Sequence, residues 1–174
     1  MGIEQKIYNH KDQLYRLCLY LEKNIDRAED LFQDTWVKAL EKIHTYDTSR
    51  DFYPWLTQIA VNTYRDKLRR LKLELKRRCY VPEGVMEETY SNGENLESTF
   101  FHKEELRAVM EGIQQLPDKY KLPLLLIMEE KLSYKEVSDI LEISEKLVKS
   151  RIYEGRQKLK QLLEKEALEW MTEN

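Results

Sequence analysis

A chain of 174 residues, 41% apolar and 35% charged, is long enough for one ordinary domain or two small ones and apolar enough to build compact cores. With only 5 Gly and 4 Pro, it is not a long disordered, collagenous or low-complexity protein, and the composition favours helices. The net charge of −3 is unevenly spread: residues 1–78 hold 16 Lys and Arg against 12 Asp and Glu, residues 79–105 hold 1 against 7, and residues 106–174 hold 12 against 13.

The N-terminus has no apolar stretch of the signal-peptide kind, and Lys6 stands where a myristoylation site needs Ser or Thr. Ile3, Ile7, Leu14, Leu17 and Leu21 recur at helical spacing, predicting an amphipathic helix that ends near Asn24, with Cys18 on its apolar side as a small core residue. A second helix is expected after Asp26, with Phe32, Trp36, Ala39, Leu40 and Ile43 on its apolar face. Asp30, Gln33, Asp34 and Glu41 share the other face, which is either a solvated surface or a docking site for a basic partner.

The stretch 44–51 (HTYDTSRD) is rich in turn formers, and Pro54 suits the first turn of a third helix that runs into a basic cluster. On that helix Gln58, Asn62, Arg65 and Arg69 line one stripe opposite Leu56, Ile59 and Ala60. Residues 65–78 carry eight basic and two acidic residues, a concentration suited to phosphate. A merely solvated helix satisfies the same spacing. Phe52 and Trp55 either stack on bases, as in single-strand binders, or pack in the core.

From Cys79 to about Thr99, Pro, Gly, Ser and Asn mingle with acids and no period is sustained, which reads as a linker. Helical spacing resumes at Leu106, Val109, Met110, Ile113 and Leu116 and closes at Pro117. Pro123 predicts that the next helix starts late or is kinked. It also interrupts the longest apolar run, residues 122–128, which is far short of the ~20 residues that cross a bilayer.

The strongest local pattern is residues 132–152 (LSYKEVSDILEISEKLVKSRI). Ser133 with Glu136 forms a capping box, Val137 and Leu141 give the short helix an apolar face, Ser144 caps the next helix, and Val148 and Ile152 pack it. This order of elements is that of a helix-turn-helix, although an ordinary helical hairpin shares it. Lys146, Lys149, Ser150, Tyr153 and Gln157 share one face of the second helix, with Arg151 and Arg156 beside it. Cations there suit phosphates, and Ser, Tyr, Gln or Arg suit base edges. The three histidines and two cysteines have no metal-ligand spacing, and neither a glycine-rich phosphate loop nor a nucleophile with its base is present. No metal, cofactor or enzymatic activity is expected.

Residues 28–36 (AEDLFQDTW), 52–70 (FYPWLTQIAVNTYRDKLRR), Leu116-Pro117 and the helix-turn-helix ending Val148-Lys149-Ser150-Arg151 stand in an order and at separations that resemble bacterial sigma-70-family factors of the extracytoplasmic-function group. The resemblance implies an all-α fold of two small helical domains: region two over residues 1–78 and region four over 106–174, joined by an acidic linker over 79–105. It implies a cytoplasmic, non-enzymatic promoter-specificity subunit that binds core RNA polymerase and promoter DNA in response to an envelope or stress signal. By similarity, Asp30, Gln33 and Asp34 dock on the polymerase clamp. Asp47, Ser49 and Phe52 of the loop, with Asn62, capture a base flipped from the minus-ten element, while Gln58, Arg65, Arg69 and Arg70 hold the DNA beside it. Lys146, Lys149, Ser150, Arg151, Tyr153 and Arg156 then read the minus-thirty-five element, and the linker threads into the polymerase channels.

An anti-sigma factor, often membrane-bound in this group, is an implied partner, with no direct membrane insertion of the chain itself. The chain departs from the family pattern at Val61, where a basic residue is usual, at Lys146 and Leu147, where Gly and Thr are common, and at Glu154-Gly155, which replaces an Arg-Ala pair. There Glu154 is expected to repel phosphate, and Gly155 to cost about 1 kcal/mol of helix stability. A stand-alone helix-turn-helix regulator is the main alternative, and a helical protein that sequesters a partner is a second.

Overall fold

The computed structural model describes residues 3–78 and 104–173, with side chains over 5–77 and 108–165. Among the described residues the structure is all helical. It comprises α1 (Ile3–Glu22), α2 (Ile25–Glu41), a single 3-10 turn (Ile43–Thr45), α3 (Phe52–Arg78), α4 (Glu104–Gln115), α5 (Asp118–Met128), α6 (Tyr134–Leu141) and α7 (Glu145–Glu173). They fall into two compact units, α1–α3 and α4–α7. Of the expected linker, residues 79–103, Cys79 among them, lie outside the described residues, while Glu104 and Glu105 open α4.

In the first unit α1, α2 and α3 each pack on the other two. Leu14, Leu17, Cys18 and Leu21 of α1 meet Ala28, Leu31 and Ala39 of α2 and Leu56, Ala60 and Val61 of α3 in a core from which water is excluded. Cys18 is the small core residue that its neighbours predicted. The second helix starts earlier than expected, at Ile25, because the Asn24 side chain accepts the Arg27 N–H at 3.0 Å and so satisfies a free donor of the first turn. Its buried stripe is Ala28, Leu31, Thr35 and Ala39. Leu40, expected in the core, is 55% exposed, and Ile43 belongs to the 3-10 turn. Val61 is fully buried, so the usual basic residue is replaced here by core packing.

In the second unit α7 packs against α4, α5 and α6. α5 neither starts late nor begins at its proline: it runs from Asp118 with Pro123 inside. Pro123 gives up a single hydrogen bond to the carbonyl four residues earlier. Burial of Tyr120, Leu122, Leu124, Leu125 and Leu126 around it offsets that loss. The capping box at Ser133 is present in both halves: Glu136 N–H donates to Ser133 Oγ at 3.2 Å and Ser133 N–H to Glu136 Oε2 at 2.7 Å. α6 ends at Glu142 in the left-handed conformation (φ 56°), and Ser144 Oγ then accepts Leu147 N–H at 3.2 Å to start α7. Val137, Ile140 and Leu141 of α6 and Val148 and Ile152 of α7 are buried, which fixes the expected helix-turn-helix.

Gly155 has a use that its helix propensity hides. A Cβ there would lie 2.9 Å from Leu124 Cδ1 and 3.3 Å from Tyr120 Cβ, so any larger residue requires the Leu124 side chain to turn aside and Tyr120 to give by a few tenths of an ångström.

Candidate nucleic-acid interface

Asp30, Gln33, Asp34 and Glu41 are all exposed on α2, opposite its buried stripe. Val37 and Leu40, each 55% exposed, lie on the same side, so the acidic stripe has an apolar centre. Periodicity assigned Leu40 to the core and passed over Val37. Single exposed apolar side chains are ordinary, and it is the pairing of these two within a charged stripe that makes the face a candidate contact surface. Asp34 also reaches Lys67 of α3 at 2.9 Å, and Lys38 reaches Asp66 at 3.9 Å, so two crossed ion pairs tie the helices together. Beside Gln33 a cavity of about 380 Å³ opens between α1 and α2, lined also by Lys11, Asp12, Tyr15, Glu29 and Phe32. Burial, and then the Glu29 carboxylate, push the Tyr15 phenol up from its ordinary value.

The loop between the 3-10 turn and α3 is held from inside and outside. Asp47 Oδ1 accepts the Ser49 hydroxyl at 2.7 Å and the Ser49 N–H at 2.9 Å, and Arg50 N–H closes the turn on the Asp47 carbonyl at 3.0 Å. The two Ser49 bonds, with the Arg50 guanidinium 3.4 Å away, hold the Asp47 carboxyl below the usual carboxylate range. Across the loop, Tyr46 donates its hydroxyl to the Arg50 carbonyl at 2.6 Å and accepts from the Lys6 ammonium of α1 at 3.0 Å. The same ammonium lies 4.6 Å from the Tyr46 ring centre. Neither Lys6 nor Tyr46 was among the residues that spacing singled out, because their contact spans 40 positions.

Phe52 is placed otherwise than a base-stacking role requires. It is 4% exposed and packs on His10, Tyr46 and Trp55 at centroid distances of 5.2–5.8 Å, so it supports the loop from below. Trp55, 5.3 Å from Tyr46, is half-buried in the same cluster. Above it Gln58, Asn62 and Arg65 form a half-buried stripe that continues into exposed Arg69 and Arg70. Asp66 partly offsets Arg69, at 3.4 Å.

In the second unit Lys146, Lys149, Ser150, Tyr153 and Arg156 are exposed on α7, with Arg151 half-buried beside them. Tyr153 is 67% exposed, and the Lys149 ammonium lies 5.6 Å from the Tyr134 ring. The expected site residues therefore fall into three separate surfaces: an acidic stripe on α2, a braced loop leading into a polar-to-basic stripe on α3, and a cationic face on the second helix of a helix-turn-helix. Among the described residues no group of His, Cys, Asp and Glu could hold a metal, and no helix is long and apolar enough to cross a membrane.

Two helical units, one with a polar-to-basic stripe and one with a helix-turn-helix, have the architecture of a DNA-binding protein, and the first also exposes an acidic stripe on α2. Residues 7–74 match the family model of Sigma-70 region 2, and residues 106–159 match that of Sigma-70, region 4. The chain is 34% identical over 163 residues to the ECF RNA polymerase sigma factor SigM of Bacillus subtilis (strain 168), covering 93% of this chain and 95% of that protein. It is 32% identical over 158 residues to the ECF RNA polymerase sigma factor SigW of the same organism, covering 88% and 84%. The sigma factor RpoE, solved in complex with the anti-sigma factor NepR from Bartonella quintana, shares the fold with a TM-score of 0.79 at 22% identity, covering 92% of this chain and 96% of that one. The chain belongs to the sigma-70 family, in its extracytoplasmic-function group.

Proposed function

We propose a division of labour among the three surfaces of this sigma factor. The protein is a promoter-specificity subunit: it binds core RNA polymerase and promoter DNA and directs initiation at a specific set of promoters under envelope or stress signals, and it is not a stand-alone regulator. In our reading, residues 1–78 serve polymerase docking and the minus-ten element, and residues 106–174 serve the minus-thirty-five element. Asp30, Gln33 and Asp34 meet a basic helix of the polymerase around the apolar centre of Val37 and Leu40. A flipped base is captured between the loop at Asp47 and Ser49 and the Asn62 side chain, with Phe52 bracing the loop. Gln58, Arg65, Arg69 and Arg70 hold the adjoining strand. Flipping costs a few kcal/mol of unstacking, so a loop already held in shape leaves more of the capture energy for opening DNA.

On α7, Lys146, Lys149, Arg151 and Arg156 neutralise phosphates, and Ser150 and Tyr153 face base edges. The protein works in the cytoplasm, performs no chemistry of its own, and is restrained by an anti-sigma factor, the kind of partner with which its structural relative from Bartonella quintana was solved. The observation that carries this reading is the coexistence in one chain of the exposed acidic face of α2 and the capped helix-turn-helix: the first needs a protein partner, the second a duplex. Run-off transcription with purified core polymerase on fragmented DNA from the source bacterium tests it. Discrete starts that need the protein and share two spaced upstream blocks are expected. New starts absent despite active core, with duplex binding by the protein alone, would overturn it.

A further inference from the structure

Glu154 stands where the family pattern has arginine, on the helix face assigned to duplex DNA, and its surroundings give it a role other than repulsion. Glu154 Oε2 accepts the Tyr120 hydroxyl at 2.9 Å, and Oε1 accepts the Ser150 hydroxyl at 2.9 Å. Tyr120 is a residue of α5 and only 6% exposed, so the anchor is part of the core. Ser150 and Glu154 are exposed, one turn apart on α7. The Tyr120 and Ser150 hydrogen bonds, in that order, with Lys119 and Lys158 nearby, keep the carboxyl below its usual range, so it is ionised at neutral pH. The same two lysines lie 4.9 and 5.6 Å from the Tyr120 ring centre and offset the negative charge toward phosphate.

An ionised carboxylate only accepts hydrogen bonds. A serine hydroxyl has one proton, and here it goes to Glu154, so Ser150 also faces outward with lone pairs alone. The two side chains form an exposed patch of acceptors with no donor, flanked by Lys149 and Tyr153. In the major groove, guanine presents acceptors at N7 and O6, thymine an acceptor at O4, and adenine an N6 amine beside an N7 acceptor. Cytosine presents its N4 amine alone, and a carboxylate suits it best.

We propose that Glu154 and Ser150 together select one cytosine in the duplex read by α7, through its N4 amine, with Tyr120 as the positioning residue that aims the carboxylate. The proposal rests on the reading of α7 as the minus-thirty-five helix. It makes the departure from the family pattern at Glu154 a change of base preference rather than a loss of affinity.

The test is transcription by the reconstituted holoenzyme from a promoter library randomised over the upstream block, with sequencing of the templates used. Wild type is expected to enrich cytosine at one position. Glu154→Gln should lower that preference about tenfold and raise adenine there, because an amide side chain pairs with adenine N6 and N7. Ser150→Ala and Tyr120→Phe should weaken the preference at the same position only. Unchanged selection at the neighbouring positions reports an intact helix, which a purely structural role for Glu154 or Tyr120 would not leave so selective. An unchanged preference in Glu154→Gln, or a wild-type position with no cytosine bias amid otherwise clear selection, overturns the proposal. Absence of any wild-type selection in the upstream block overturns the reading of α7 itself.

Discussion

The two units present the surfaces proposed to meet DNA in different ways. In α4–α7 the proposed reading face belongs to a long helix whose backbone is satisfied internally, and caps at Ser133 and Ser144 with a left-handed Glu142 set how it follows α6. In α1–α3 the corresponding surface includes a loop with few ladder bonds of its own. Its shape depends on side chains: Asp47 with Ser49 within the loop, and Lys6 with Tyr46 from a distant helix. A helix face takes its shape from a locally satisfied backbone, whereas this loop adds to its local Asp47–Ser49 and Tyr46–Arg50 bonds a contact to Lys6 that exists only once the domain has folded.

The comparison can be pressed by substitution. Gly155→Val should have the largest effect, destabilising the second unit by about 3 kcal/mol through overpacking against Leu124 and Tyr120, measured by denaturant unfolding. Unchanged stability there would show that α5 and α7 can separate freely. In the first unit, Asp34→Arg should weaken core polymerase binding about tenfold by reversing charge in the docking stripe. Because Asp34 also pairs with Lys67, Lys67→Met is the control: an equal loss would assign the effect to the helix pair rather than to docking.

Ser133→Ala removes the hydroxyl half of the capping box, leaving only the backbone N–H bond to Glu136, and should cost the second unit about 1 kcal/mol, read as a lowered melting temperature. Tyr46→Phe keeps the ring in its cluster but cuts the strap to Lys6 and Arg50. Promoter opening, followed by permanganate reactivity of melted thymines, should fall about threefold with core affinity unchanged. The smallest effect concerns acid. The folded-state pKa of Asp47 is depressed, so its contribution is full above the unfolded-state value and lost as pH falls through the folded one. Trp55 fluorescence should therefore report an unaltered loop down to the ordinary carboxylate range and a change only below it.

What could be read from the sequence follows the same division. Periodicity found α1, the buried Cys18 and the stripe on α3, and the Ser133–Glu136 spacing found the start of α6, because these signals lie within a few residues of one another. Pro123 misled only as to where α5 starts, since its local cost is offset by burial that α6 and α7 supply. Leu40 misled in the opposite direction: an apolar residue at helical spacing turned out to face solvent. The charge of Asp34 and Glu154 was legible, but not the partners Lys67 and Tyr120 that decide what each carboxylate can do. Gly155 read as a helix defect until the side chains of α5 stood against it.

The strap from Lys6 to Tyr46 joins the opening turns of the chain to a loop 40 residues later. Because closing a 40-residue separation costs chain entropy, the contact is expected to form only after α1 and α3 have met and to open when the end of α1 frays. An N-terminal tag or a clipped first turn would thus be felt at the loop proposed to face DNA while leaving α2 and its acidic stripe in place. On the proposed division of labour, proteins purified with different leader sequences are expected to bind polymerase alike and open promoters unequally.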